Sequence, residues 1–290
     1  MDAAGRTTTT TACVTGAGGF VASWLVKLLL SRGGGGRRYA VRGTVRDPGD
    51  AKNAHLPALD GAAERLRLFK ADLLDYGSMA AAIAGCDVVF HVACPVLANH
   101  TPNPEADLIA PAVTGTMNVL KACSEAKVKR NWYNLSKTLA ELQAFDYAKR
   151  SGLDVVTVCP SLVIGPLLQP TVNASSSVIV DFLKGEHEVK SKIRNFVDVR
   201  DLADALILVY ETPEVSGRYI CSSHARKVSD VIDLLKSMYP AYKFANKFVQ
   251  VDDNPSYSSR KLEMLGWKIK PLEETLRDSV ESYKAAAVLN

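Results

Sequence analysis

Val14-Thr15-Gly16-Ala17-Gly18-Gly19-Phe20-Val21-Ala22 lies between a β-rich run at 11–15 and apolar residues spaced at helical intervals over 20–30. A strand, a glycine-dense turn and a helix in that order carry a physical meaning. Gly16 permits a tight strand-to-helix turn. Gly19 lets the backbone approach a pyrophosphate with no Cβ in the way. Ala22 is small enough for the helix to pack close on a sheet. The free N–H groups and the dipole at the helix start face and favour an anion. Gly16, Gly18, Gly19, Phe20 and Val21 are therefore candidate contacts for a dinucleotide. The flanking strand and amphipathic helix distinguish this stretch from an ordinary glycine turn.

Outward from this turn, strands and helices alternate. Strands are expected at 39–45, 66–70, 87–93 and 155–158, and helices at 76–84 and 108–126. Gly33–Gly36 reads as a surface loop. The alternation implies an α/β fold with a doubly wound Rossmann parallel sheet, whose central strands are apolar along their length. Beyond residue 167 the rhythm loosens and Pro and Ser become more frequent. Residues 1–165 are read as the dinucleotide-binding domain. Residues 166–290 are read as mainly a smaller substrate lobe, with elements returning to the sheet.

The second strand ends Gly43-Thr44-Val45-Arg46-Asp47, with Lys52 close behind. An acidic residue at that tip binds a free ribose 2′-hydroxyl, whereas Arg suits a 2′-phosphate through paired hydrogen bonds. Arg46 and Lys52 thus favour NADP, and Asp47 keeps NAD as the lesser reading. Asp72 and Leu73 follow the third strand, where an adenine would rest. Val92, Ala93 and Cys94 follow the fourth, beside a nicotinamide. His91 is read as a packed strand residue and not a catalyst.

Asn131-Trp132-Tyr133-Asn134-Leu135-Ser136-Lys137 opens a stretch, 133–149, that reads as helical. On a helix Tyr133 and Lys137 share a face. An ammonium beside a phenol favours the phenolate, so Tyr133 becomes a usable proton donor near neutral pH. Lys137 could also hold nicotinamide ribose hydroxyls. Both are candidate catalytic residues.

The net charge of +4 comes with no dense basic run and no interleaved aromatics, which argues against nucleic acid. Cys13, Cys86, Cys94, Cys123, Cys159 and Cys221 are scattered without CxxC spacing. They read as small buried hydrophobes in a reducing compartment, with no metal site. The first eleven residues have no apolar core of a signal peptide, and no run approaches the ~18 apolar residues of a membrane span. A cytoplasmic chain with no membrane partner, monomeric or weakly dimeric, is expected.

Taken together, 14–24, 41–47, 85–96, 115–123, 131–141, 159–166, 195–205, 217–221 and the tail from Lys261 to Tyr283 resemble the cinnamoyl-CoA reductase and dihydroflavonol 4-reductase group of extended short-chain dehydrogenases. The resemblance spans nearly the whole chain. It implies NADPH, hydride transfer to a carbonyl of a small phenolic or other carbonyl substrate, and a Ser–Tyr–Lys active site. It also implies that Pro160, Ser161 and Val163 line the nicotinamide site and that Ser175 and Ser176 meet cofactor phosphates. Cinnamoyl-CoA reductases often carry Asn-Trp-Tyr-Cys-Tyr-Gly-Lys around the tyrosine. The different Asn-Leu-Ser here implies a reductase-like member.

One element is out of place. Helix 108–126 is followed by Lys127-Val128-Lys129-Arg130 and then at once by Asn131-Trp132-Tyr133. Parallel strands are joined by crossovers, so a strand belongs between two such helices. No apolar run of strand length stands there. The resemblance implies a strand ending in the catalytic Ser or Thr, then a loop to the tyrosine. Both read as deleted, with one central strand missing. Ser136, next to Lys137, is no substitute. The expected function is an NADPH-dependent reductase impaired by that loss. The alternatives are a catalytically dead NADP(H)-binding protein and, less favoured, a nucleotide-sugar epimerase.

Overall fold

The computed structural model describes residues 8–32, 37–94, 110–128, 130–133, 138–185, 188–245, 247–251 and 255–289. The expected glycine loop at 33–36, the break at Pro95, and Ser136 and Lys137 lie outside them. The strands are β1 (Thr8–Val14), β2 (Arg37–Val45), β3 (Leu66–Lys70), β4 (Val88–His91), β5 (Arg130–Tyr133), β6 (Val155–Pro160), β7 (Leu162–Ile164), β8 (Val189–Ser191), β9 (Ile193–Asp198), β10 (Gly217–Cys221), β11 (His224–Lys227) and β12 (Phe248–Gln250). The helices are α1 (Phe20–Ser31), α2 (Ala62–Arg65), α3 (Tyr76–Ile83), α4 (Ala110–Glu125), α5 (Thr138–Ser151), α6 (Ala174–Lys184), α7 (Val199–Glu211), α8 (Val228–Met238), α9 (Arg260–Glu263) and α10 (Leu272–Ala285).

Two compact units result. One comprises Met1–Cys159 and Leu206–Tyr219, the other Pro160–Ala205 and Ile220–Asn290. The first unit is built on a seven-stranded sheet in the order β10-β6-β5-β4-β1-β2-β3. The pairs from β3 through β6 are all parallel. The order 3-2-1-4-5-6 is that of doubly wound dinucleotide-binding sheets, whose crevice opens where the winding reverses, at the carboxyl ends of β1 and β4. The glycine turn leaves β1 at that point.

Local chemistry explains most elements. β1 runs back to Thr8, further than the expected 11–15, because the threonines are β-branched and pair with β2 from Arg37 onward. Ala12, Cys13, Val14, Val88, Val89 and Phe90 are all buried, as central parallel strands require. The Asp75 carboxylate caps α3 by accepting the Gly77 N–H at 3.0 Å. Met79, Ile83, Val89, Val119 and Cys123 form one of the cores beside the sheet. Cys13, Cys86, Cys123 and Cys221 are buried free thiols, and Cys94 and Cys159 are half-buried.

The expected gap in the sheet is corrected. β5 stands between β4 and β6, pairing Phe90 with Trp132, His91 with Tyr133 and Tyr133 with Thr157. Without it, β4 and β6 would each present an unpaired edge inside the sheet, a costly loss of backbone hydrogen bonds. Asn131-Trp132-Tyr133, with two aromatic β-formers, fills the vacancy although it is not an aliphatic run. The same finding corrects the helix expected over 133–149. Tyr133 closes β5, and α5 begins at Thr138.

In the second unit β9 pairs antiparallel with β11 and parallel with β7, and β8 pairs with β12. Ile164, Ile179, Leu183, Phe196, Ile232, Leu276 and Tyr283 share its core. Arg200 forks onto Asp198, with Nε–Oδ1 3.0 Å and Nη2–Oδ2 2.7 Å, and Thr275 donates to the same carboxylate at 2.8 Å. Among the described residues no helix is long and apolar enough to cross a membrane.

Candidate active site

The turn after β1 is fixed from both neighbouring strands. Gly16 N–H donates to Thr44 Oγ1 at 3.0 Å and Ala17 N–H to the Thr44 carbonyl at 2.9 Å. Gly19 N–H closes the turn on the Gly16 carbonyl at 2.9 Å. Gly16 has φ +65°, and a Cβ there would sit 2.9 Å from Ala93 Cβ, so glycine is required twice over. Gly19 is exposed, and no side chain caps the first turn of α1. The start of α1, with Phe20 and Val21, therefore keeps backbone donors for an anion.

Thr15 joins this turn to the end of β4. Its Oγ1 accepts from Val92 N–H and Ala93 N–H, both at 3.0 Å. With both lone pairs used, the hydroxyl proton goes to His91 Nδ1, 2.8 Å away, so the imidazole proton sits on Nε2. His91 is only 2% exposed, and burial pushes its pKa down to about 3. It is a neutral structural group, as the sequence suggested. The pair sets the course of Val92, Ala93 and Cys94 as the chain leaves the sheet.

At the tip of β2, Arg46 and Asp47 are exposed. Asp47 Oδ1 accepts Gly49 N–H at 3.0 Å, so this carboxylate shapes its own loop. Lys52 Nζ pairs with Asp50 Oδ2 at 2.6 Å, and the Lys52 hydrogen bonds hold the Asp50 carboxyl below its usual range. Asp72, after β3, caps its turn by accepting Leu74 N–H at 2.8 Å. The Leu73 carbonyl accepts Asn118 Nδ2 at 2.8 Å, and its side chain fills the space beside Gly115 of α4.

Tyr133 ends β5 with its backbone between His91 and Thr157, at the carboxyl end of the sheet. Lys137 lies outside the described residues. The shared helix face expected for the two is not the arrangement of this chain. α5 itself is firmly held. Glu141 is 4% exposed and accepts from Thr157 Oγ1 at 2.6 Å and Arg218 Nε at 2.8 Å. Burial pushes this carboxyl up, but the bonds from Arg218 and Thr157 outweigh it and hold the pKa below its ordinary value. Sequence reasoning missed this network. A lone Glu beside a helix start gives no signal of a partner 77 residues away.

Pro160, Ser161, Val163 and Ser176 belong to the second unit. Ser161 N–H donates to the Cys221 carbonyl at 3.0 Å, while its Oγ is buried with no partner. Val163 is buried on β7. Ser176 is fully buried, and its hydroxyl donates to Asn173 Oδ1 at 2.7 Å, so it braces the N-terminus of α6. Asn173 Nδ2 in turn donates to Ser175 Oγ at 2.7 Å.

A glycine turn exposed at Gly19, an uncapped helix start and a basic strand tip, all in the first unit, suit a dinucleotide with two phosphates. Fold and turn define a doubly wound protein of the dinucleotide-binding class. Comparison with known proteins narrows this. The family model described as "NAD dependent epimerase/dehydratase family" matches residues 12–136 and 129–220. Cinnamoyl-CoA reductase 1 of Petunia hybrida is 43% identical, covering 93% of this chain and 91% of its own. Tetraketide alpha-pyrone reductase 1 of Arabidopsis thaliana is 39% identical, covering 93% and 94%. The crystal structure of vestitone reductase from alfalfa superposes with a TM-score of 0.81 at 28% identity, covering 96% and 99%. The chain belongs to the NAD dependent epimerase/dehydratase family, in its cinnamoyl-CoA reductase and dihydroflavonol reductase group. It is a nicotinamide-dependent reductase of the extended short-chain dehydrogenase type.

The comparisons carry two further details. The alignment to the Petunia relative runs over 312 positions, more than the 290 residues of this chain, so that relative has residues without a counterpart here. The family model matches in two stretches, which meet at 129–136.

Proposed function

We propose that the chain is an NADPH-dependent reductase of the cinnamoyl-CoA reductase-like type whose turnover is impaired at β5. The observation carrying the cofactor choice is Arg46, exposed at the tip of β2 with Lys52 six residues on, where an acidic residue would favour NADH. Bound NADPH supplies a hydride to the carbonyl carbon of a hydroxycinnamoyl thioester, aldehyde or ketone. The protein's own residues do the rest. Arg46 and Lys52 hold the 2′-phosphate, and the glycine turn with Phe20 and Val21 holds the pyrophosphate. Asp72 and Leu73 flank the adenine. Val92, Ala93 and Cys94 lie at the nicotinamide end, and the family resemblance assigns Pro160 and Val163 to the same ring and Ser176 to the phosphates. Tyr133 protonates the substrate oxygen, and Lys137 favours its phenolate and binds ribose hydroxyls.

A second reading, an NADP(H)-binding protein without turnover, is favoured by one observation. Tyr133 serves as a strand residue in β5, the element that the family resemblance expects to end in the catalytic Ser or Thr. A stopped assay following NADPH oxidation with a hydroxycinnamoyl thioester, the free aldehyde and a ketone separates the two. Turnover above the no-protein rate with any of them supports the reductase. Saturable NADPH binding with no oxidation selects the second reading.

A further inference from the structure

The loop carrying Arg46 and Lys52 is exposed along most of its length, and two of its residues are buried, Asn53 and Leu56. Leu56 is apolar and packs as expected. Asn53 is an amide that is 2% exposed, at the end of a single 3-10 turn over Ala51–Asn53. A buried amide carries a desolvation cost unless it is bonded, so what Asn53 touches explains why it is there.

Its Nδ2 donates to the Asp47 carbonyl at 2.9 Å. Its Oδ1 lies against the glycine turn, so close that a Cβ on Gly18 would stand 2.1 Å away. The amide oxygen, more than its carbon, thus faces the bare Cα of Gly18. One side chain thereby joins the phosphate turn after β1 to the loop after β2. The joint also falls at significant points of the sequence. Asp47 directly follows Arg46, and Asn53 directly follows Lys52. Tying residues 47 and 53 together fixes the base of each cationic side chain. The loop's other bonds are internal, among them Gly49 N–H to Asp47 Oδ1 at 3.0 Å, Asp50 N–H to the Asp47 carbonyl at 3.3 Å, Lys52 N–H to Asp50 Oδ1 at 3.0 Å, Lys52 Nζ to Asp50 Oδ2 at 2.6 Å and Asn53 N–H to the Asp50 carbonyl at 2.9 Å. These shape the loop but do not attach it to the glycine turn.

We infer that Asn53 is a positioning residue for cofactor choice: it clamps the loop bearing Arg46 and Lys52 onto the phosphate turn, so that both cations are held ready for a ribose 2′-phosphate. The inference rests on the NADPH reading above. Gly18 acquires a second role, since its missing Cβ makes room for the Asn53 amide and not directly for a ligand. The clamp acts only on the 2′ end, so its loss penalises a cofactor carrying the 2′-phosphate and spares one without it.

The test is equilibrium binding of NADPH and NADH to the full chain, measured by titration calorimetry, which needs no turnover. Asn53→Ala weakens NADPH about tenfold, the effect of one good hydrogen bond, and changes NADH less than about twofold. In an Arg46→Ala background, Asn53→Ala adds little, because the cation it positions is already gone. Asn53→Asp keeps the shape, replaces the donor facing the Asp47 carbonyl with an acceptor, and gives the same selective loss; it serves if the alanine variant does not fold. Equal losses for both cofactors, or none, overturn the inference and leave Asn53 a structural residue. A wild-type chain without preference for NADPH removes the cofactor reading and this inference with it. A preference that survives both variants removes this inference alone.

Discussion

The carboxyl ends of β1 and β2 and the carboxyl end of β5 lie on the same edge of one sheet, yet they are finished differently. The first region is cross-tied by side chains chosen for the place: Thr44 under Gly16 and Ala17, Thr15 between His91 and Val92–Ala93, Asn53 between Asp47 and Gly18. The second is reached by four residues whose backbone completes the ladder. Backbone hydrogen bonding is satisfied by nearly any residues that can lie extended, so the sheet closes. Catalysis needs particular side chains at the strand tip, and a strand assembled from Arg130, Asn131, Trp132 and Tyr133 brings no serine or threonine. Closing the sheet and furnishing the strand tip with a hydroxyl are thus separate requirements.

The largest expected effect concerns that strand. Inserting a strand ending in Ser and a loop before Asn131 frees Asn131-Trp132-Tyr133 from the sheet and supplies an oxyanion donor. Turnover of a carbonyl substrate should rise by about 10²–10³, the usual worth of such a donor. An inserted chain that binds NADPH and stays inert breaks the comparison. Next, Arg46→Ala should weaken NADPH by about 10- to 100-fold, as loss of a charge-assisted bond does, while NADH binding barely moves. Equal losses would mean that the tip of β2 does not read the 2′ position.

Smaller effects sharpen the comparison beyond the strand tips. α5 follows the makeshift strand but is anchored by Glu141. Arg218→Ala should leave this buried carboxylate short of a donor and cost about 1–3 kcal/mol in urea unfolding. No loss would mean that α5 is as loosely specified as β5. The smallest is a pH effect in the second unit. Asp201 is 3% exposed, and burial raises its pKa to about 7, while its Oδ2 accepts Lys270 N–H at 2.8 Å. Because the folded value lies above the unfolded one of about 3.9, the folded state holds the proton more tightly. The associated stability is complete below about pH 4 and is lost as pH rises through about 7. Asp201→Asn should flatten unfolding midpoints across that window; an unchanged slope would contradict it.

The sequence disclosed much of this because the decisive signals were local. The Gly16–Ala22 turn, Arg46 at a strand tip, and the buried character of Val88–Phe90 each follow from neighbours in the chain. The rest depended on partners far away. β5 could not be read from Asn131-Trp132-Tyr133, which has no aliphatic run; a vacancy between β4 and β6 made it a strand. That vacancy also overrode the helical spacing of Tyr133 and Lys137. Asn53 gave no signal in the sequence, because what it touches, Gly18, lies 35 residues earlier. His91 was placed correctly, but its tautomer needed the two N–H groups that saturate Thr15.

The central claim, that the cofactor end is intact while the β5 end is not, is tested most directly by fluorescence titration of NADPH into the purified chain, with NADH as control. Tight, saturable NADPH binding with NADH at least about tenfold weaker is the predicted result, since the hydrogen bonds described at the glycine turn and in the loop of Arg46 and Lys52 are made by β1, β2, β4 and the loop itself. Failure of both to bind would contradict it, and would show that the cofactor end cannot stand apart from the strand beside it.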